Sequence, residues 1–122
     1  MNQKEAAVGF LQLIAEGEVR EAYDRFISPD FRHHNQFFKG DRSSLMAAME
    51  ENARKQPNKT LEVKKLLEDG DTVMTLSHVK QDPNASGGAV VHIFRFEKGK
   101  IAELWDVGQD IVANSANENG VF

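Results

Sequence analysis

The sequence predicts one α+β domain over residues 1–122, in which helices come first and an antiparallel sheet follows. Apolar residues recur at helical spacing through the first half of the chain. In the second half, segments rich in β-branched and aromatic residues lie between turn signals at Gly70 and Gly99. No repeat, linker or low-complexity segment divides the chain. Helices grouped before strands favour a fold in which the helices cover one face of the sheet.

The first half predicts three helices. The first ends at Gly17, and the second ends at residues 28–30, Ser-Pro-Asp, which interrupt the helical pattern. The third begins after an N-cap at Asp41 or Ser43 and ends at Pro57, because proline lacks the amide hydrogen that a helix interior requires. The residues predicted to face inward are Ala6, Ala7, Phe10, Leu11 and Ile14, then Val19, Ala22, Tyr23 and Phe26, then Leu45, Met46, Met49 and Ala53.

The second half predicts four antiparallel strands joined by turns. The "DGD" of residues 69–71 is a hairpin signal, and the polar "QDPNASGG" of residues 81–88 predicts a longer loop. The predicted strands cover residues 59–68, 72–80, 89–97 and 100–109.

The last hairpin decides which side chains share a sheet face. A three-residue loop over residues 97–99 would make Asp106 a diagonal neighbour of His92. Because side chains alternate along a strand, both polar residues would then lie on one otherwise apolar face. That face would carry Val90, His92, Phe94, Ala102, Leu104 and Asp106. The opposite face would carry Val91, Ile93, Arg95, Glu97, Ile101, Glu103, Trp105 and Val107.

The combination of Asp106 and His92 has two interpretations. A carboxyl group in apolar surroundings generally has a raised pKa, a property that suits a general acid or base near neutral pH. His92 could then orient the carboxyl group or hold it in its charged form. The alternative is a buried His–Asp hydrogen bond that only satisfies two polar groups.

The segment "FRHHNQFF", residues 31–38, places two histidines and Asn35 among aromatic residues. On a regular strand His33 and His34 would point to opposite faces, so only one of them could enter a pocket. A metal ion usually needs three or more converging protein ligands, and neither these histidines nor His78 show such a spacing. We therefore predict no metal and no cofactor. Asn35 is either a pocket donor or the cap of a turn.

Composition limits the partners and the location. The formal net charge is −4, which argues against nucleic acid and anionic membranes as partners. No apolar run reaches the roughly 18 residues of a membrane span. The chain has no cysteine, which excludes disulfides and thiolate catalysis. A cytoplasmic protein is the expectation.

Two motifs resemble those of a known family. "FRHHNQ" resembles the "YIQHNP" element, and "HIFRFEKGKIAELWDVGQ" resembles the "DIFR…GKIVEHWDV.Q" element, of SnoaL-like proteins in the nuclear transport factor two-like superfamily. The ending "SANENGVF" is similar to that of a subgroup of predicted SnoaL-like aldol-condensation enzymes. The resemblance implies a cone-shaped α+β barrel, with three N-terminal helices packed on a curved, mostly antiparallel sheet around a deep apolar pocket. It also implies a homodimer through the outer sheet face, where Trp105 and Val107 are predicted.

The resemblance also implies a chemistry. In SnoaL-type cyclases an aspartate in the pocket acts as acid and base for an intramolecular aldol closure without metal or cofactor, and that role falls on Asp106. Limonene epoxide hydrolases resemble the same hairpin and also place a catalytic aspartate there. Their Y-x-N element favours His33 and Asn35 as inward-facing residues, whereas the "QHN" match favours His34.

The predicted function is a cofactor-independent acid–base reaction, of aldol-cyclase or isomerase type, on a small apolar carbonyl compound. Asp106 would abstract a proton next to the carbonyl group, and Asn35 with one of the two histidines would bind the developing enolate oxygen. The sequence departs from the family where His92 replaces an aspartate, Leu104 a histidine and Phe31 a tyrosine. The alternatives are a non-catalytic ligand-binding or accessory module and an epoxide-hydrolase-like hydrolysis. The predicted catalytic residues are Asp106 and His34, and the predicted substrate-binding residues are His33, Asn35, His92, His78, Phe94, Leu104 and Phe31.

Overall fold

The structure, a computed structural model, describes all residues from Met1 to Phe122. Three helices cover one face of a five-stranded sheet, so the predicted α+β class is confirmed. We call the covered side of the sheet the inner face and the other side the outer face. The elements are α1 (Gln3–Ala15), α2 (Val19–Phe26), β1 (Ile27–His33), α3 (Arg42–Lys55), β2 (Thr60–Asp69), β3 (Thr72–Lys80), β4 (Gly88–Glu97) and β5 (Lys100–Asp110).

The helix ends have local causes. The Asn2 side chain accepts a hydrogen bond from the Glu5 amide, and the Glu5 carboxylate accepts one from the Asn2 amide, which together cap the start of α1. After α1, Gly17 adopts a positive φ of 83°, a conformation that glycine reaches without a side-chain clash. The N-cap of α3 is Asp41, whose carboxylate accepts from the amide of Ser44. The structure thus selects Asp41 between the two predicted caps.

The sheet contains the predicted meander and one further strand. Strands β2 to β5 pair antiparallel in chain order. Residues 28–30, which the sequence predicts only to end the second helix, lie in β1, which pairs in parallel with β5. Pro29 fits there because β1 is an edge strand, where a missing amide hydrogen breaks no ladder. The strand order is β1-β5-β4-β3-β2, so the sheet stays open, with β1 and β2 as its two edges.

The turn between β4 and β5 is shorter than the sequence predicts. Glu97 pairs with Lys100, so the loop has two residues, Lys98 and Gly99, instead of three. Both have positive φ angles, 52° and 80°, as a two-residue hairpin turn of this twist requires. The predicted register at the turn is therefore wrong by one residue.

A β-bulge next to the turn restores the predicted grouping farther along the hairpin. Phe96 pairs with Ile101 and Arg95 pairs with Glu103, which leaves Ala102 as an extra residue on β5. Ile101, predicted on the outer face, is instead completely buried in the core. The bulge shifts the alternation of side chains by one position, and this shift cancels the effect of the shorter turn.

Beyond the bulge the pairs on the inner face are regular. Phe94 lies opposite Leu104, and His92 lies directly opposite Asp106 rather than diagonal to it. The prediction that these residues share one face is correct, although the predicted register is not. His92 and Asp106 therefore both lie on the helix-covered side of the sheet.

The core lies between the helices and the inner face. The ring of Phe10 is 5.8 Å from that of Tyr23 and 6.4 Å from that of Phe94, both in edge-to-face arrangements. Tyr23 contacts Phe31 of β1 in the same way, at 6.3 Å. No helix is long and apolar enough to cross a membrane.

Candidate functional site

A cavity of about 290 Å³ opens between α1, α3 and the inner face of the sheet. Of its 16 lining residues 11 are hydrophobic, so a ligand inside would be surrounded mainly by apolar side chains. Phe10, Leu45 and Met49 are among the apolar residues of this wall. The polar lining residues are Asn35, Asn52, Lys59, His92 and Asp106.

Asp106 is half-buried at this cavity, and its carboxylate accepts one side-chain hydrogen bond. The Asn35 Nδ2 atom donates a hydrogen bond of 3.1 Å to Asp106 Oδ2. The Asn35 Oδ1 atom accepts a hydrogen bond of 3.0 Å from the Phe37 amide, which fixes the side-chain amide with its NH₂ group toward the carboxylate. One N–H of that group and the Oδ1 atom of Asp106 therefore remain free for a ligand.

His33 supports Asn35 and does not line the cavity. Its Nε2 atom donates to the carbonyl oxygen of Lys39 at 2.7 Å, and its Nδ1 atom accepts from the Asn35 amide at 3.1 Å. The ring is buried, with 6% of the residue exposed. Because both ring nitrogens bind backbone groups, His33 has no donor or acceptor left for a substrate. Its effect on Asp106 passes through the position of Asn35.

His34 lies on the outer face of the sheet. Its Nε2 atom is 2.6 Å from Glu103 Oε2, and its ring stacks on that of Trp105 with centroids 4.8 Å apart. It meets Asp106 only along a separate open groove at the sheet edge. The structure thus corrects the placement of His34 in the apolar pocket. His34 directly follows His33, the last residue of β1, and successive residues of an extended chain point to opposite faces.

His92 is a neutral group beside Asp106. Burial lowers the pKa of His92 from 6.5 to about 4, and the neighbouring Asp106 carboxylate opposes that shift only in part. Its Nδ1 atom is buried without a hydrogen-bond partner, and its ring stacks on Phe94 at 5.9 Å. The alternative of a His92–Asp106 hydrogen bond is not observed, and the side-chain hydrogen bond of Asp106 comes from Asn35.

The remaining predicted site residues lie outside the cavity wall. Phe31, Phe94 and Leu104 are buried in the hydrophobic core beneath it. His78 is on the outer face, where its Nε2 atom contacts the Ser86 carbonyl oxygen at 2.9 Å and its ring packs on Phe122. Of the site residues predicted from the sequence, three line the cavity: Asn35, His92 and Asp106.

Two polar residues of the cavity were not found from the sequence. Lys59 lies between α3 and β2, and its Nζ atom donates to the Oδ1 atom of Asn52. Burial lowers the pKa of Lys59. The sequence shows no motif around Asn52 or Lys59, and it predicts Lys59 only as the first residue of a strand. Nowhere do three or more His, Asp or Glu side chains form a group that could hold a metal ion.

Comparison with known proteins identifies the family model that the chain matches. Residues 7–104 match the model of the SnoaL-like domain. The match ends before Asp106, so the position of that residue in the site rests on the β4–β5 pairing and on the Asn35 contact. No curated protein matches the sequence.

Solved structures share the fold at low sequence identity. A cystatin-fold protein from Novosphingobium aromaticivorans has a TM-score of 0.73 at 18% identity, over 88% of this chain and 98% of that one. An NTF2-like protein from Cytophaga hutchinsonii has a TM-score of 0.69 at 17% identity, over 89% and 91% of the two chains. A SnoaL-like family protein from Agrobacterium tumefaciens, proposed to be an isomerase, has a TM-score of 0.71 at 12% identity, over 89% and 99%. At these identities the likeness establishes the fold alone.

Proposed function

The chain belongs to the SnoaL-like family, and we propose that it binds a small, largely apolar carbonyl compound and transfers a proton on it with Asp106 as the general base. The observation that carries this proposal is the Asn35–Asp106 contact of 3.1 Å at the wall of a mainly apolar cavity. An ionisable group in such a place is costly unless it is paired, and here a single amide holds it. The free Oδ1 atom of Asp106 is then available to accept a proton from a bound molecule.

The proposed step needs no group from outside the chain. Asp106 Oδ1 takes a proton from the carbon next to the carbonyl group, and the electron pair of that C–H bond moves toward the carbonyl oxygen to give an enolate. The second N–H of Asn35 is the donor suited to this oxygen. If the enolate is conjugated with a C=C bond, return of the proton from Asp106 to the far carbon gives an isomer. Attack of the enolate carbon on a second carbonyl group gives an alkoxide, which takes the proton back from Asp106 to give an aldol product.

Three features of the site support this role. The wall of the cavity is mainly apolar, so a ligand that fills it would displace water, and this would strengthen hydrogen bonds to a developing charge. His92 is neutral at pH 7, so it adds no cation that would stabilise the Asp106 carboxylate and weaken it as a base. His33 fixes the loop that carries Asn35, so the amide is positioned before a ligand binds.

Hydrogen–deuterium exchange tests the proposal before the natural substrate is known. The protein is incubated in D₂O with β-tetralone and other small ketones, and loss of the signal from the hydrogens next to the carbonyl group is followed by NMR. Asp106→Asn keeps the shape of the side chain and removes the base, so exchange should fall by at least about a hundredfold. Asp110→Asn, the same change at an exposed position of the same strand, should leave the rate unaltered.

The outcomes separate the two classes of function. Exchange by Asp106→Asn at the wild-type rate would refute the base role. Binding of the ketones to the wild-type protein without any exchange would favour a ligand-binding module that does no chemistry. A folding failure of Asp106→Asn, with no ketone bound by the wild type, would show that the Asn35–Asp106 pair only holds the scaffold together.

A further inference from the structure

Lys59 is a partly buried cation of the cavity that has no anionic partner. Its Nζ atom contacts the neutral side chain of Asn52, and no carboxylate lies within ion-pair distance of it. By contrast, Lys55 and Lys64, which are close to it in the chain, each pair with a glutamate. A cation taken partly out of water is costly unless an opposite charge compensates it.

The contact with Asn52 leaves donors of Lys59 free. The Asn52 Nδ2 atom donates to the Gln56 side chain, which fixes the Asn52 Oδ1 atom toward Lys59. An ammonium group has three N–H donors, and Asn52 takes one of them. The other two are available to a group inside the cavity, because Lys59 is part of its lining.

Lys59 and Asp106 reach the cavity from different parts of the sheet. Lys59 precedes β2 and Asp106 lies on β5, with β3 and β4 between these strands. At about 4.8 Å per strand, the three strand spacings alone amount to roughly 14 Å across the sheet. Lys59 also lies farther along the strands, because the row of Asp106 meets β2 at Leu66. The lining residues on the strands between the two ends are apolar except for the neutral His92 on β4. The apolar ones are Leu61 on β2, Val79 on β3 and Val90 on β4.

We propose that the cavity takes an elongated apolar carboxylic acid, whose carboxylate binds Lys59 while its other end reaches Asp106 and Asn35. The proposal rests on the proposed function for the location of the reacting end, and it narrows the substrate class to keto acids. A carboxylate supplies the negative charge that would compensate the Lys59 cation, and its oxygen atoms accept hydrogen bonds from the two free N–H donors. The apolar strip over Leu61, Val79 and Val90 fits the hydrocarbon part of such a molecule.

A matched pair of probes tests this inference. Naphthoate and naphthamide have the same apolar body, and only the first is charged at neutral pH. Isothermal titration calorimetry with the wild-type protein should show tighter binding of naphthoate, by on the order of tenfold for a charge-assisted contact. Lys59→Gln keeps a donor for Asn52 and removes the charge, so it should abolish the preference, whereas Lys59→Arg should keep it.

The control variant is Lys65→Gln, which removes an exposed lysine of the neighbouring strand β2 and should keep the preference for naphthoate. Equal binding of the two probes by the wild type, or a preference that survives Lys59→Gln, would overturn the role of Lys59 and leave the proposed binding function standing. If neither probe binds, the binding function and the role of Lys59 both fail. Circular dichroism of each variant establishes that it is folded.

Discussion

Replacing His92 with glutamine should reduce the loss of stability that acid causes in this protein. Burial lowers the pKa of His92 to about 4 in the folded protein, from 6.5 for an unperturbed histidine. Between these values the unfolded chain binds a proton that the folded chain does not bind. Acid therefore favours unfolding over this range, and stability rises again as the pH is raised toward 7. Glutamine does not titrate, so the variant lacks this contribution.

The size of the effect follows from the two pKa values. Each pH unit at which the unfolded chain holds one extra proton changes the free energy of unfolding by about 1.4 kcal/mol. From about pH 7 to about pH 5 the contribution of His92 is roughly 2 kcal/mol, because its pKa shift spans most of that interval. The carboxyl groups with lowered pKa values, such as Glu103, contribute mainly below their ordinary value of 4.5. The chosen interval therefore separates the contribution of His92 from that of these carboxyl groups.

Urea denaturation at several pH values measures this effect. The transition should be followed by far-ultraviolet circular dichroism, which reports the loss of the helices and the sheet. His78→Gln is the matched control, since it removes a histidine of the outer face without touching the cavity. The reasoning is refuted if wild type and His92→Gln lose the same stability between about pH 7 and pH 5, or if His78→Gln reduces the loss as much.

Two further predictions concern assembly and the β3–β4 connection. We expect a homodimer through the outer face, where Val107 is 66% exposed. Val107→Glu should then give a folded monomer, and a wild-type protein that sediments as a monomer at micromolar concentration would contradict the prediction. Gly87 has a φ of 75°, and a Cβ atom there would lie 2.1 Å from the Val79 carbonyl oxygen. Gly87→Ala should cost at least about 2 kcal/mol of unfolding free energy, against about 1 kcal/mol for Gly99→Ala, whose Cβ would meet open space. Equal urea midpoints for these two variants would show that the clash is relieved.

The sequence was sufficient for the elements whose signals are local. The inward face of α1 is read from the spacing of Ala6, Phe10 and Leu11, because a helix repeats every 3.6 residues whatever it packs against. The meander follows in the same way from alternation and from the glycines of the turns. Asp106 and His92 share a face in the structure as the sequence predicts, although the register beyond the bulge differs from the predicted one by two residues. A shift of two residues leaves each side chain on the same face.

Only the tertiary structure decided which polar groups meet. The pairing of β1 with β5 is a contact between residues about 70 positions apart, and it sends His33 inward to support Asn35 and His34 outward to Glu103. Asn35 reaches Asp106 for the same reason. Lys59 lines the cavity because α3 and the start of β2 close over the apolar strip. No local sequence pattern around Lys59 predicts this position. Local sequence fixes the periodicity of each element, whereas the convergence of distant side chains depends on packing that no short segment encodes.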